Sequence, residues 1–133
     1  MPKKILIIDD DPDVILFLET ILTDNGYETY QANNGQEGLE VLKETRPDLI
    51  LLDLMMPIKS GLSFFRDIKR INEFKDIPVI MVTGVAGETG IDLEQFFKRG
   101  VKQREGMELR PDGYIEKPID PDRLIEMIKE IIG

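Results

Sequence analysis

Four short, unbroken runs of Ile, Leu and Val constrain this chain more than any other feature: Ile5 to Ile8, Leu49 to Leu52, Val79 to Val82, and a weaker Tyr114-Ile115. A strand with one wet face alternates apolar and polar residues, so continuous runs suit strands covered on both faces, as in a parallel sheet. A fifth segment, Tyr27 to Gln31, is more polar and suits an edge. The intervening segments carry helical spacing. Val14, Phe17, Leu18, Ile21 and Leu22 recur at i, i+3, i+4, i+7 and i+8, and Leu124, Ile125, Ile128, Ile131 and Ile132 behave similarly. Asp11-Pro12 and Asp120-Pro121 each set a carboxylate cap before a proline at the first helical position. Asn34 with Glu37 forms a capping box, Ser60 can cap a helix from Gly61 to about Ile71, and Gly26 closes the first helix. Five strands alternating with five helices predict an α/β chain, (βα)5, with a doubly wound five-stranded parallel sheet and right-handed crossovers.

A length of 133 residues suits one domain over 1–133, and 41% hydrophobic with 32% charged residues is a globular balance. Cysteine and histidine are both absent. That excludes disulfides, thiol nucleophiles, His- or Cys-based metal sites and Ser-His triads. With 26 acidic against 17 basic residues the net charge is -9, which repels a phosphate backbone, so direct nucleic-acid binding is not expected. The start carries no recognisable signal peptide and no apolar run reaches membrane-spanning length, so a cytoplasmic protein without membrane association is expected.

In a sheet of this kind ligands bind beyond the carboxyl ends of the strands, where the strand order reverses. Here the first strand ends in Asp9-Asp10-Asp11, the third in Asp53, the fourth in Thr83-Gly84 and the fifth in Lys117-Pro118. Any one of these could be a chain merely surfacing; the four together form a set. Carboxylates held close repel one another unless a cation joins them. Hard oxygen donors without His or Cys suit Mg²⁺. Lys117 adds a positive charge for a phosphoryl oxygen, and Thr83 can donate a hydrogen bond to the same group. Asp53, alone at the end of the central strand, is the natural nucleophile for an acyl phosphate. Phosphoryl transfer asks mainly for positioning and charge neutralisation, and no Walker-type motif points to a bound nucleotide.

With these marks the chain resembles the receiver domain of two-component response regulators, the family of the chemotaxis regulators. The marks are Ile5-Leu6-Ile7-Ile8-Asp9-Asp10-Asp11-Pro12, Asp53-Leu54-Met55-Met56-Pro57 with Gly61, Val82-Thr83-Gly84, and Tyr114-Ile115-Glu116-Lys117-Pro118. The resemblance implies a flavodoxin-like strand order, 2-1-3-4-5. It implies that Asp53 accepts a phosphoryl group from a histidine kinase or phosphotransfer protein. Asp10, Asp53 and the backbone carbonyl of Met55 would hold Mg²⁺, with Asp9 assisting through water. Lys117 would bind the phosphoryl oxygens, with the Lys117-Pro118 peptide cis. Thr83 would move toward the phosphoryl group as Tyr114 turns inward, a bistable element. Met55 and Val85 are apolar at positions that govern water access in the family, which implies slow self-hydrolysis. Asp11 matches no functional position and reads as a helix cap. Pro57 and Gly61 also suit simple loop shaping, and Tyr114 an ordinary half-buried strand position.

One departure stands out. Thr83 and Lys117 are separated by 33 residues, more than such domains usually place there. The excess lies in about 87–113, where Ile91, Leu93, Phe96, Phe97 and Val101 suggest a helix, followed by a polar loop from Lys102 to Glu108. This enlarged segment between the fourth and fifth strands sits where the family docks partners, so the downstream target and any phosphorylation-dependent dimer, as opposed to a monomer, are not transferable. Two other readings stay open. One is an interaction module of the same fold that works without phosphate. The other is a Mg²⁺-dependent phosphohydrolase, against which Met55 stands where a second acid is needed. No enzyme activity is expected beyond weak self-phosphorylation and self-dephosphorylation. Taken as complete, the chain reads as a stand-alone receiver; as a fragment, it would belong to a larger regulator or hybrid kinase.

Overall fold

The apolar runs become strands whose successive side chains enter two different layers. In a computed structural model, which describes residues 2–54, 61–84 and 111–133, the order is β1 (Lys4–Ile8), α1 (Pro12–Asp24), β2 (Glu28–Ala32), α2 (Gly35–Thr45), β3 (Leu49–Asp53), α3 (Gly61–Lys69), β4 (Val79–Thr83), β5 (Gly113–Glu116) and α4 (Pro121–Ile132). All strand pairs are parallel, in the order β2-β1-β3-β4-β5. Leu6, Ile8, Ile50, Leu52 and Met81 pack on one face with Leu42 of α2 and Phe64, Phe65 and Ile68 of α3. Ile5, Ile7, Leu49, Leu51, Ile80 and Val82 pack on the other with Ile15, Leu18 and Leu22 of α1 and Leu124, Ile125 and Ile128 of α4. Each fully buried Leu, Ile or Phe contributes roughly 1.5–3 kcal/mol. That is why the central runs carry no polar residue before their ends.

Three of the helix N-caps read from sequence are seen. Asp11 accepts from the Asp13 amide, Asn34 from Glu37 and Asp120 from Asp122. The first helix ends at Asp24, and Gly26 follows at φ +86°, where its amide donates to the Thr23 carbonyl.

Two boundaries and one buried face differ from expectation. The second strand starts at Glu28, because the Tyr27 amide is spent on the Leu22 carbonyl at the end of α1, and Glu28 is the first to reach Lys3. Helix α3 stops at Lys69, where the chain tightens into turns through Ile71 and Phe74. In α1 the buried stripe is Ile15, Leu18 and Leu22, with Val14 and Ile21 at its flanks, while Phe17 is 45% exposed. The expected helix near 91–101, the polar loop after it, Ser60, Met55 and Val85 lie outside the described residues.

Candidate phosphoacceptor site

Strand geometry alone assembles the site. The β1–β2 pairing runs one residue past β1, because the Asp9 amide donates to the Ala32 carbonyl at 3.1 Å. This holds Asp9 in place, and its Oδ1 then accepts from the Asp11 amide at 2.9 Å as the chain turns into α1. Asp53 closes β3 opposite Val82, and the next amide, that of Leu54, donates to the Val82 carbonyl. Both carboxylates are buried, Asp9 at 1% and Asp53 at 4% exposure, whereas Asp10 is exposed. Asp9, Asp10 and Asp53 each offer an oxygen, and these atoms lie within 4.8 Å of one another.

Lys117 completes the cluster from the end of β5, ahead of a cis peptide to Pro118. Its Nζ is 3.4 Å from Asp9 Oδ2 and 4.0 Å from Asp53 Oδ2. Among the described residues, one ammonium faces three carboxylates. Two like charges within 4.8 Å repel by roughly 3 kcal/mol at an effective dielectric near 20, a cost that Lys117 offsets in part. Asp9 Oδ2, although buried, accepts no hydrogen bond. Among the described residues that oxygen is held only by the ion pair with Lys117, and an all-oxygen set of this kind suits a small hard divalent cation.

Of the residues singled out from sequence, Asp9, Asp10, Asp53 and Lys117 therefore meet at one point. Thr83 ends β4 in register with Glu116, and Tyr114 stands on β5 in register with Met81. Tyr114 is half-buried against the layer that holds Leu6, Ile8 and Met81. Gly61 was read from sequence as a family mark and a loop-shaping residue, but two features of the site were not read. The backbone of Gly61 is pressed against that of Asp53 and Leu54. An open groove of about 280 Å³ also runs beside the site, lined by Asp13, Val14, Phe17, Lys117, Pro118 and Ile119. The groove had no local signal, since it joins α1 to residues about a hundred positions away.

The sequence profile of the response regulator receiver domain matches residues 5–129. The chain belongs to this family. It is 36% identical to the polar-differentiation response regulator DivK of Brucella anthropi, over 100% of this chain and 98% of that protein. It is 35% identical to the phosphate regulon transcriptional regulatory protein PhoB of Pseudomonas aeruginosa, where it spans about half of the longer relative, 52%. The crystal structure of a response regulator receiver domain protein from Methanospirillum hungatei superposes with a TM-score of 0.79 at 30% identity, covering 99% of this chain and 94% of that one. This receiver domain thus carries out two-component signal transduction on a five-stranded flavodoxin-like frame. Its acidic cluster can hold a metal ion. Among the described residues, no helix is long and apolar enough to cross a membrane.

Proposed function

We propose that Asp53 is the phosphoacceptor, that the metal is Mg²⁺, and that the donor is the phosphohistidine of a kinase or phosphotransfer protein in the cytoplasm. The observation that carries this reading is the buried Asp53 carboxylate lying 4.0 Å from the Lys117 ammonium and in one cluster with Asp9 and Asp10. A carboxylate oxygen of Asp53 forms the new bond to phosphorus as the phosphorus–nitrogen bond of the donor breaks, and the electron pair leaves with the imidazole. Bound by Asp9, Asp10 and Asp53, Mg²⁺ would supply neutralisation of the phosphoryl charge. Lys117 neutralises a second phosphoryl oxygen, and burial of Asp53 strengthens that pairing by limiting screening. Once Asp53 bears the phosphoryl group, Lys117 follows the new negative charge, and Thr83 with Tyr114 passes the change across β4 and β5 to a downstream protein.

Turnover is confined to the domain's own phosphorylation and dephosphorylation. The donor approaches over α1, where Leu16 is 63% exposed and Phe17 45%, next to the groove that ends at Lys117 and Pro118.

Intact mass after incubation with acetyl phosphate and Mg²⁺ tests the assignment. Wild type should gain one phosphoryl group, and Asp53→Ala or EDTA-treated wild type none. An adduct that persists in folded Asp53→Ala would move the acceptor elsewhere. No adduct on folded wild type, from acetyl phosphate or a cognate donor, would favour the phosphate-independent interaction module.

A further inference from the structure

We propose that Gly61 is a positioning residue for the phosphoacceptor, holding the Asp53 backbone where its carboxylate meets Asp9, Asp10 and Lys117. The inference rests on Asp53 being the acceptor. A Cβ on Gly61 would overlap the Asp53 carbonyl oxygen and come within 2.9 Å of the Asp53 carbonyl carbon and 2.8 Å of the Leu54 Cα. All three are backbone atoms, so no side-chain rotation relieves the overlap. The same approach is fixed by a hydrogen bond, because the Gly61 amide donates to the Leu54 carbonyl at 3.1 Å.

The end of β3 is therefore gripped from two sides. The Leu54 amide is held by the Val82 carbonyl of β4, and the Leu54 carbonyl by the first residue of α3. Helix α3 is anchored by Phe64, Phe65 and Ile68, which are fully buried in the layer beneath it. Residues up to Asp53 are buried, with Asp53 at the border of the site, and Leu54 is half-buried. A side chain at position 61 therefore forces the two backbones apart, and because the Asp53–Leu54 backbone is one of them, the shift carries the Asp53 carboxylate with it. Asp53 Oδ2 lies 4.0 Å from Lys117 Nζ and within 4.8 Å of carboxylate oxygens of Asp9 and Asp10, so a shift of its backbone alters the cluster directly. Misplacement by about 1 Å is enough to cost catalytic steps on the order of a hundredfold.

Two readouts test this on the full chain: the dissociation constant for Mg²⁺ followed by amide NMR, and the rate of adduct formation from acetyl phosphate. Folded Gly61→Ala should bind Mg²⁺ about tenfold or more weakly and accept the phosphoryl group correspondingly slowly, with shifted Asp53 and Leu54 amides. Phe64→Leu, a buried change in the same helix, serves as the control for stability. At a comparable fall in melting temperature it should keep both constants within about twofold of wild type. Wild-type constants in Gly61→Ala, or equal losses in both variants, would overturn the proposal. So would a Gly61→Ala chain that does not fold, since the glycine would then serve the fold and not the acceptor. Wild type that neither binds Mg²⁺ nor gains the adduct would instead remove the phosphoacceptor assignment itself.

Discussion

Asp9 and Asp53 are carboxylates that the fold keeps from water, and among the described residues Lys117 is the cation paired with both. Breaking such a pair by deleting one partner leaves an uncompensated buried charge, which costs several kcal/mol when all members are sealed. Lys117 is 29% exposed at its side chain, so the effect should be smaller. We expect Lys117→Met to lower metal-free stability by about 1–3 kcal/mol in urea unfolding, with millimolar Mg²⁺ restoring more stability to the variant than it adds to wild type. An unchanged midpoint would mean the ion pairs contribute nothing to the resting protein. Asp10 presents the opposite case. It is exposed and adds a third negative charge to the cluster. Asp10→Asn should therefore leave metal-free stability equal or slightly raised while weakening stabilisation by Mg²⁺, the usual conflict between stability and a binding site. A fall in metal-free stability would show that Asp10 holds structure. These four charged residues were legible in the sequence because each follows an apolar run that had to be a strand. Which of the two neighbouring aspartates would be buried was not legible, since that depends on the Asp9 amide reaching the Ala32 carbonyl of another strand.

Among the elements, the helices with chemical punctuation were read correctly. Asp11, Asn34 and Asp120 cap the helices they were expected to cap, because a cap is a local bond between a side chain and an amide two or three residues away. The end of α3 was read two residues too long, and its cause is not local. Lys69 bends back over the Phe65 ring at 5.4 Å and donates to the carbonyls of Lys75 (2.9 Å) and Ile77 (3.1 Å), fastening the turns that lead into β4. Desolvation holds the Lys69 ammonium below its usual range, with Asp112 and Asp76 partly opposing the shift. Between that lowered value and the ordinary 10.5, the unfolded chain binds more protons than the folded one, so this lysine's contribution to stability grows as pH rises through that window. Lys69→Met lacks the titration. The stability of wild type relative to Lys69→Met should therefore increase from pH 7 to pH 9.5 in paired urea titrations. A difference that is flat or shrinks would mean that the carbonyl bonds, and not desolvation, dominate the lysine.

At the scale of the molecule, the layered sheet was legible because one physical rule, burial on both faces, produced the runs. Ile5 and Ile7 enter one layer and Leu6 and Ile8 the other, so no position in β1 could be polar. The strand order came through the family resemblance, since neither periodicity nor spacing says which strands are neighbours. The surface was least legible of all. Phe17 fits the helical spacing of a core residue, yet the stripe centres on Ile15, Leu18 and Leu22, which leaves Phe17 beside Leu16 facing outward. A pair of large exposed apolar side chains one helix away from the acceptor, on a chain of net charge -9, argues for a docking face whose contacts are apolar at the centre. Acetyl phosphate needs only the acceptor cluster, whereas a protein donor must also rest on the surface around it. Leu16→Ala combined with Phe17→Ala should therefore change stability by no more than about 0.5 kcal/mol, because both side chains already face water. It should leave the rate with acetyl phosphate unchanged and slow phosphoryl transfer from a cognate protein donor about tenfold or more, the scale of losing central interface side chains. Equal rates with the protein donor would move the docking face off α1. Parallel losses with both donors would mean that the substitutions reach Asp53 through the fold. Only a loss confined to the protein donor separates recognition from chemistry on this domain.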